Sequence, residues 1–187
     1  MADANVLYSR VLRDYLLYAA ARRVITVNWS QAILDDVAEH ISTNVAGFTL
    51  QRAAYLLAKM TEAFPVAKVE PNPDDYARLS RCALPDEDDR EVMAAALAAE
   101  ADVICTNNLA HFPEPVLSDL GLEVMTPDCL LCRLFEVQQE AMFQVHRTTV
   151  QQFSHATDAS TIAALRKAQA PRTADKVAAL VGLATRD

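Results

Sequence analysis

The chain has 187 residues, of which 52% are hydrophobic, and its formal net charge is −8. A chain of this length supports one well-buried domain with a small appendage and is too short for two ordinary domains. The excess of acid argues against a protein that coats nucleic acid through bulk electrostatics, because phosphate binding draws its affinity from Lys and Arg. No apolar run approaches the roughly 18 residues of a membrane span, and no signal-peptide pattern opens the sequence, so we expect a cytoplasmic protein.

The charge is unevenly distributed along the chain. Residues 1–147 hold 12 basic and 22 acidic side chains, whereas residues 148–187 hold 5 basic and 3 acidic ones. The carboxylates of the main body are therefore either solvated or gathered around a cation. Basic side chains near the C-terminus, such as Arg166 and Lys176, either guide RNA or cover a helical face, and the sequence leaves both interpretations open.

The four cysteines are Cys82, Cys105, Cys129 and Cys132. A chain of this size does not depend on disulfides, so we expect reduced thiols that pack as small hydrophobic side chains. Cys129 and Cys132 have the spacing of a zinc or redox pair, but the sequence holds no second ligand pair.

Helical periodicity dominates the sequence, with short β-type runs between the helices. Helices are predicted over 8–23, after Ser30, over 49–64, 74–81, 92–99 and 113–120, as one long helix over 126–152, and over 158–169 and 173–185. Strands are predicted over 24–27, 66–69, 102–106 and 122–125, with Gly121 as a helix C-cap. Strands that alternate with helices indicate an α/β domain with a mostly parallel sheet that is covered on both faces.

Several acidic and amide side chains are predicted at one edge of this sheet. In open α/β sheets, ligands bind beyond the carboxyl ends of the strands. Asp3 lies where a first strand would end, Asn107 and Asn108 follow a predicted strand, and Asp89 begins the helix before that strand. Asp36 lies on the polar face of an early helix. Carboxylates without basic partners repel one another unless a divalent cation offsets their charge, and oxygen ligands favour Mg²⁺ or Mn²⁺ over zinc.

Three stretches of the chain resemble the ordered motifs of the PIN-domain family. Asp3–Leu7 looks like the opening motif of the family, and Trp29–Asp36 looks like its second acidic motif. Leu84–Val92, followed by an alanine-rich helix and by Asp102–Pro113, looks like the third and fourth motifs. Because the motifs occur in the order and spacing of the family, the chain resembles the branch of PIN-domain toxins that carries a helical C-terminal extension.

The resemblance implies a PIN-like three-layer α/β/α fold over residues 1–130 and a helical C-terminal extension over residues 131–187. It also implies an endoribonuclease that depends on Mg²⁺, with Mn²⁺ as the alternative ion. Such an enzyme acts as the toxin of a type II toxin–antitoxin pair. The implied partners are an RNA substrate, a cognate antitoxin protein and a second copy of the chain in a homodimer.

Carried over residue by residue, the resemblance places metal ligands at Asp3, Asp36 and Asp89, with Asp36 standing where a Glu is more usual. Asn108 would complete the catalytic set by hydrogen bonding. The supporting residues, which would orient the carboxylates or the attacking water or cap the second helix, are Asn5, Thr106, Asn107 and Ser30.

The sequence departs from the family pattern in two places. The fourth position of the family usually supplies an acid, whereas the candidates here are Asn107, Asn108 and His111, so we expect weak metal affinity or a single ion. The first strand of the family normally precedes the opening Asp. Only two residues precede Asp3 here, so we expect Asp3 to be held loosely.

Other polar residues near these motifs have simpler interpretations. Asp86 and Asp88 precede a predicted helix, so we interpret them as caps or solvated acids. We interpret His40 and His111 as surface histidines, because magnesium chemistry requires neither of them.

Two further hypotheses come from other functional classes. The missing fourth acid suggests a degenerate PIN module that binds RNA or a protein partner without cleaving it. A third hypothesis makes Asp3 the nucleophile of a phosphatase of the haloacid dehalogenase type. That motif requires a second Asp where Asn5 stands, and a downstream Lys near the last acids, where none is present.

Overall fold

The computed structural model describes residues 1–182, and the chain divides into two compact units. The first unit holds Met1–Tyr8 and Val27–Met125, and the second holds Ser9–Thr26 and the chain from Thr126 onward. The segment Ser9–Thr26, which was expected in the α/β domain, thus groups with the C-terminal helices. A compact unit and a family domain are different divisions of a chain, so the predicted boundary at residue 130 stays a prediction.

Helices dominate the described part of the chain. In chain order the elements are α1 (Ala4–Leu7), α2 (Arg10–Ala21), α3 (Gln31–Asn44), α4 (Leu50–Ala63), α5 (Pro73–Leu79), α6 (Asp89–Ala98), β1 (Val103–Cys105), a 3-10 turn (Leu109–His111), α7 (Glu114–Leu120), β2 (Glu123–Met125), α8 (Pro127–Val137), α9 (Gln139–Gln151), α10 (Asp158–Lys167) and α11 (Pro171–Leu180). None of these helices combines the length and the apolar character that crossing a membrane requires.

The sheet of the first unit is small and parallel. Strands β1 and β2 pair in parallel, with Ile104 opposite Val124. Single parallel bridges add Ala2 beside Cys105 and Trp29 beside Lys68. The Ala2 N–H donates to the carbonyl of Asn28 at 2.9 Å and so links the two bridged pairs. This hydrogen-bonded series confirms the predicted α/β class with a parallel sheet.

Two of the predicted strands are wrong in position or extent. Residues 24–27 form no strand, because Arg23 adopts a left-handed backbone (φ 59°) and the Val24 N–H closes the end of α2 on the carbonyl of Ala19 at 2.9 Å. The extended segment begins later, and its bridge falls at Trp29. The strand predicted over 66–69 is reduced to the single bridge at Lys68.

The long helix predicted over 126–152 is two helices. Gln138 has a non-helical backbone (φ −141°, ψ 52°) that ends α8 and begins α9. The last two predicted helices are present as α10 and α11, although the prediction over 183–185 lies outside the described residues. Gly121 caps α7 with φ 72°, as predicted.

The core of the first unit fixes the sheet edge that carries the polar residues. Trp29 is fully buried and meets the ring of Phe64 edge-on, with 6.3 Å between the ring centroids. Helix α6 buries Ala94, Ala95 and Ala96 completely, because small side chains allow a close approach. The segments that follow Ala2, Trp29 and β1 are therefore anchored by packing as well as by hydrogen bonds.

The four cysteines are free thiols, as expected. Cys105 and Cys132 are buried and pack as small hydrophobic side chains, whereas Cys129 is exposed and contradicts the expected packing. Arg166 and Lys176 form ion pairs with Asp175 and Glu136, which favours their role in covering a helical face.

A buried carboxylate organises the second unit. Asp128, in the first turn of α8, accepts the backbone N–H groups of Thr173 at 2.8 Å and Arg172 at 3.2 Å, and also the Thr173 hydroxyl at 2.8 Å. These donors belong to the first turn of α11, where backbone N–H groups have no acceptor within the helix. Asp128 therefore caps α11 from a distant position in the sequence.

We expect Asp128→Ala to lower the free energy of unfolding by about 1–3 kcal/mol, because it leaves buried donors of α11 without an acceptor. Urea denaturation of the purified full chain measures this. The matched control is Glu140→Ala, which removes an exposed acid of α9 and should change the stability little. Equal losses in the two variants would contradict the capping role of Asp128.

Candidate metal centre

Asp3 is held firmly by the sheet. Its backbone N–H donates to the carbonyl of Cys105 at 3.1 Å, and the Cys105 N–H donates to the carbonyl of Met1 at 2.8 Å. The residue is only 6% exposed. The expectation that a short first strand would leave Asp3 loosely held is wrong, because pairing with β1 on one side and with Asn28 on the other fixes even this brief segment.

Thr106 and Asn5 position the carboxylate of Asp3. The Thr106 hydroxyl and the Asn5 side-chain amide both donate to Asp3 Oδ2 at 2.5 Å. Asn5 Oδ1 accepts the backbone N–H of Asn107 at 3.0 Å, and Thr106 Oγ1 accepts the backbone N–H of Asn108 at 3.0 Å. The four predicted residues thus lie together around Asp3, although their roles in a reaction stay predictions.

Helix α3 carries Asp36 on its exposed side. Ser30 caps this helix as predicted, since its hydroxyl accepts the backbone N–H of Ile33 at 3.3 Å. Partial burial raises the pKa of Asp36, and the charges of Asp3 and Glu39 raise it further. Asp36 therefore lies within electrostatic reach of Asp3, while Ser30 contributes by fixing the start of the helix.

Asp89 begins helix α6 and contacts an imidazole. His111 Nδ1 lies 2.7 Å from Asp89 Oδ2 and 3.9 Å from Asp86 Oδ2. One possible ligand atom from each of these three side chains lies within 4.8 Å of the others. Asp86 also accepts the backbone N–H of Asp88 at 3.1 Å in the turn before α6, but the N-cap residue Asp88 makes no side-chain capping hydrogen bond to that helix, so of the two predicted roles for Asp86 and Asp88 the exposed, solvated acid is the one present.

The carboxylates of this region raise one another's pKa. Burial raises the pKa of Asp3 and the charge of Asp89 adds to the rise, while the hydrogen bond from Thr106 opposes it. Burial also raises the pKa of Asp89, and Asp86 adds to the rise, while His111 opposes it. Asp3 is thus coupled both to Asp36 and to Asp89. Clustered oxygen donors with uncompensated negative charge fit a divalent cation, which would relieve the repulsion.

The sequence interpretation of Asp86 and His111 was incomplete. His111, which the sequence suggests both as a surface histidine and as a candidate for the fourth position of the family, is half-buried, and its ring faces two carboxylates. One signal could have identified it. His111 follows β1 closely, as Asn107 and Asn108 do, and ligands of an α/β sheet gather beyond such strand ends.

Comparison with known proteins gives one family and one partial relative. The family described as "PIN domain" matches residues 1–110. The relative, from Mycobacterium tuberculosis, is named "Putative ribonuclease VapC50" and is 40% identical over 53 residues. That match spans 28% of this chain and only 31% of the relative. No solved structure matches the chain.

We expect Asp36→Asn to stabilise the ion-free protein at pH 7 by up to about 1 kcal/mol, a gain that the exposure of the side chain limits. The folded state raises the pKa of Asp36 above the 3.8 of a free side chain, so ionisation of Asp36 removes stability as the pH rises through that raised value. Below the unfolded pKa the carboxyl is protonated in both states, and the gain should vanish.

Urea denaturation in EDTA, repeated at falling pH, measures this difference between Asp36→Asn and the unaltered protein. Asp119→Asn is the matched control, because it removes an exposed acid of α7 that is not among the charges that raise the pKa of Asp36. A gain for Asp36→Asn that persists at low pH would show that charge repulsion is not its cause.

Proposed function

This chain belongs to the PIN-domain family, and we propose that it is a metal-dependent endoribonuclease that acts as the toxin of a toxin–antitoxin pair. The observation that carries the proposal is the buried carboxylate of Asp3, which Thr106 and Asn5 hold in place and whose charge is coupled to Asp36 and to Asp89. A partial relative whose name contains "ribonuclease" supports RNA as the substrate.

The proposed ion is Mg²⁺, with Mn²⁺ as the alternative, and its proposed ligands are Asp3, Asp36 and Asp89. When bound, such an ion lowers the pKa of the attacking water and offsets the charge that grows on the phosphate oxygens. The protein contributes the positions of its ligands. Thr106 and Asn5 fix one carboxylate, and the exposed Asn108 is available for a hydrogen bond to the substrate.

The net charge of −8 sets the kind of RNA binding that we propose. Phosphate contacts made through Lys and Arg alone would be few, so the affinity for RNA depends more on the bound cation than on a basic surface. The proposal includes a cognate antitoxin that covers the acidic centre. A homodimer and a cytoplasmic location, which the family resemblance implies, also remain part of it.

We expect Asp89→Asn to reduce RNA cleavage at least about 100-fold, because a metal ligand supplies several kcal/mol of transition-state stabilisation. Cleavage of labelled RNA by the purified protein with Mg²⁺ or Mn²⁺ measures the rate. Growth of a bacterial host that expresses each variant tests the toxin role. The control Asp119→Asn removes an exposed acid of α7 and should leave both readouts unchanged.

One combined result would contradict the proposal. If expression of the protein does not arrest growth and the purified protein cleaves no RNA with either ion, it is not a toxin ribonuclease. Calorimetry then separates the alternatives, since a degenerate PIN module that only binds RNA or a partner should show no divalent-ion affinity that depends on Asp3 and Asp89.

We expect Thr106→Val to weaken divalent-ion affinity about 10- to 100-fold while the fold is retained. Valine keeps the shape of the buried side chain but removes the hydroxyl that donates to Asp3, so the carboxylate loses its fixed orientation. Calorimetric titration measures the affinity, and Thr61→Val is the control because its hydroxyl donates only within α4, to the carbonyl of Leu57. Unchanged affinity in Thr106→Val would show that Thr106 does not position the centre.

A further inference from the structure

The histidine beside Asp89 is the most informative departure of this chain from an all-carboxylate centre. His111 ends the 3-10 turn after β1, and its Nδ1 faces Asp89 Oδ2 at 2.7 Å and Asp86 Oδ2 at 3.9 Å. Of the three candidates for the fourth position, Asn107, Asn108 and His111, it is thus the histidine that contacts the carboxylates of Asp89 and Asp86. The donor set here is two carboxylates and one imidazole.

The backbone fixes this orientation of the ring. The His111 N–H donates to the carbonyl of Asn108 at 3.0 Å, and the Phe112 N–H donates to the carbonyl of Leu109 at 3.1 Å. The next side chain, Phe112, is 2% exposed and anchors the turn in the core. His111 is thus placed by a short, packed turn and not by a free loop, as a ligand position requires.

A simpler interpretation of this contact is that His111 only forms a hydrogen bond with the carboxylate of Asp89. In the ion-free protein the imidazole lowers the pKa of Asp89 and partly offsets its burial. That role involves one carboxylate, whereas Nδ1 faces two. In the ion-free protein Nδ1–H donates the hydrogen bond to Asp89, and a bound cation would replace that proton and take the nitrogen lone pair, with the two carboxylates that face Nδ1 as its other ligands.

We propose that His111 Nδ1 and Asp86 join Asp89 in ligating the divalent ion, in addition to the ligands proposed above, and that this nitrogen makes the centre prefer Mn²⁺, the alternative ion, to the Mg²⁺ that the family resemblance implies. The inference rests on the proposed function, since it concerns the ion of that same centre. Imidazole nitrogen is a softer donor than carboxylate oxygen and favours first-row transition ions, whereas Mg²⁺ prefers oxygen ligands and retains its waters.

Pulsed electron paramagnetic resonance of the full chain loaded with Mn²⁺ tests the ligand directly, because a ligating imidazole adds ¹⁴N modulation to the Mn²⁺ echo. We expect modulation in the unaltered protein and its loss in His111→Gln. Two controls identify the source. His40→Gln removes an imidazole that lies one turn after Asp36 and stacks on the ring of Tyr8, with 3.7 Å between the ring centroids. His155→Gln removes an exposed histidine. Both variants should retain the ¹⁴N modulation.

A competition titration of bound Mn²⁺ with Mg²⁺ tests the preference. We expect the ratio of Mn²⁺ to Mg²⁺ affinity to fall about 10-fold or more in His111→Gln. His111→Asp keeps a ligand at this position but supplies oxygen, so it should bind ions without ¹⁴N modulation and shift the preference toward Mg²⁺. This second variant keeps the test decisive if His111→Gln folds poorly.

The outcomes separate this inference from the function on which it rests. Bound Mn²⁺ and RNA cleavage with no ¹⁴N modulation, or with modulation that survives in His111→Gln, would overturn the nitrogen ligand alone. Absence of Mn²⁺ binding in the unaltered protein would overturn both the ligand and the proposed function.

Discussion

Repulsion among carboxylates that the backbone forces together is the constraint on which the candidate centre depends. Asp3 cannot move away from Asp89 or Asp36, because the residues around it are bound to the sheet on both sides. Hydrogen bonds from Thr106 and Asn5 stabilise its charged form only in part, since burial still raises its pKa. The folded protein thus gives up stability at this edge, and the packed core offsets that loss.

The three carboxylates reach this region by different physical routes. Asp3 follows an extended segment, and its position is set by backbone pairing. Asp89 occupies the first turn of α6, where the helix dipole favours negative charge. Asp36 lies within α3, whose start is fixed by the Ser30 cap, and it has no such help from the dipole. Asp36 therefore depends most on a cation to offset its neighbours, although it is the most exposed of the three.

Sequence patterns identified features that local chemistry dictates, such as the Ser30 cap and the Gly121 cap. The grouping of Asn5 and Thr106 with Asp3 was predicted from the family resemblance, because Thr106 is far from Asp3 in the sequence. Sequence patterns failed where one pattern fits two conformations. The β-branched run over 24–27 fits either a strand or a helix exit, and the left-handed Arg23 decides for the exit. The break between α8 and α9 falls at Gln138, where the sequence has neither the Gly nor the Pro that usually marks the end of a helix. Asp86 accepts the Asp88 N–H through Oδ1 while its Oδ2 faces His111, and the contact with His111 joins residues too far apart in the sequence for a local pattern to show it.

His146 and His111 differ in the groups that their ring nitrogens contact. In the second unit His146 is fully buried, with Nδ1 2.6 Å from the Tyr15 hydroxyl and Nε2 3.0 Å from Asp158 Oδ1, so both ring nitrogens are used within the protein. Burial lowers the pKa of His146, as expected for a neutral ring that holds a core together. His111 instead presents one nitrogen to two carboxylates that already repel each other. Both ring nitrogens of His146 are hydrogen-bonded within the protein, so neither can bind an ion. An ion that replaced the proton on His111 Nδ1 would lie between the carboxylates of Asp86 and Asp89 and would relieve their repulsion.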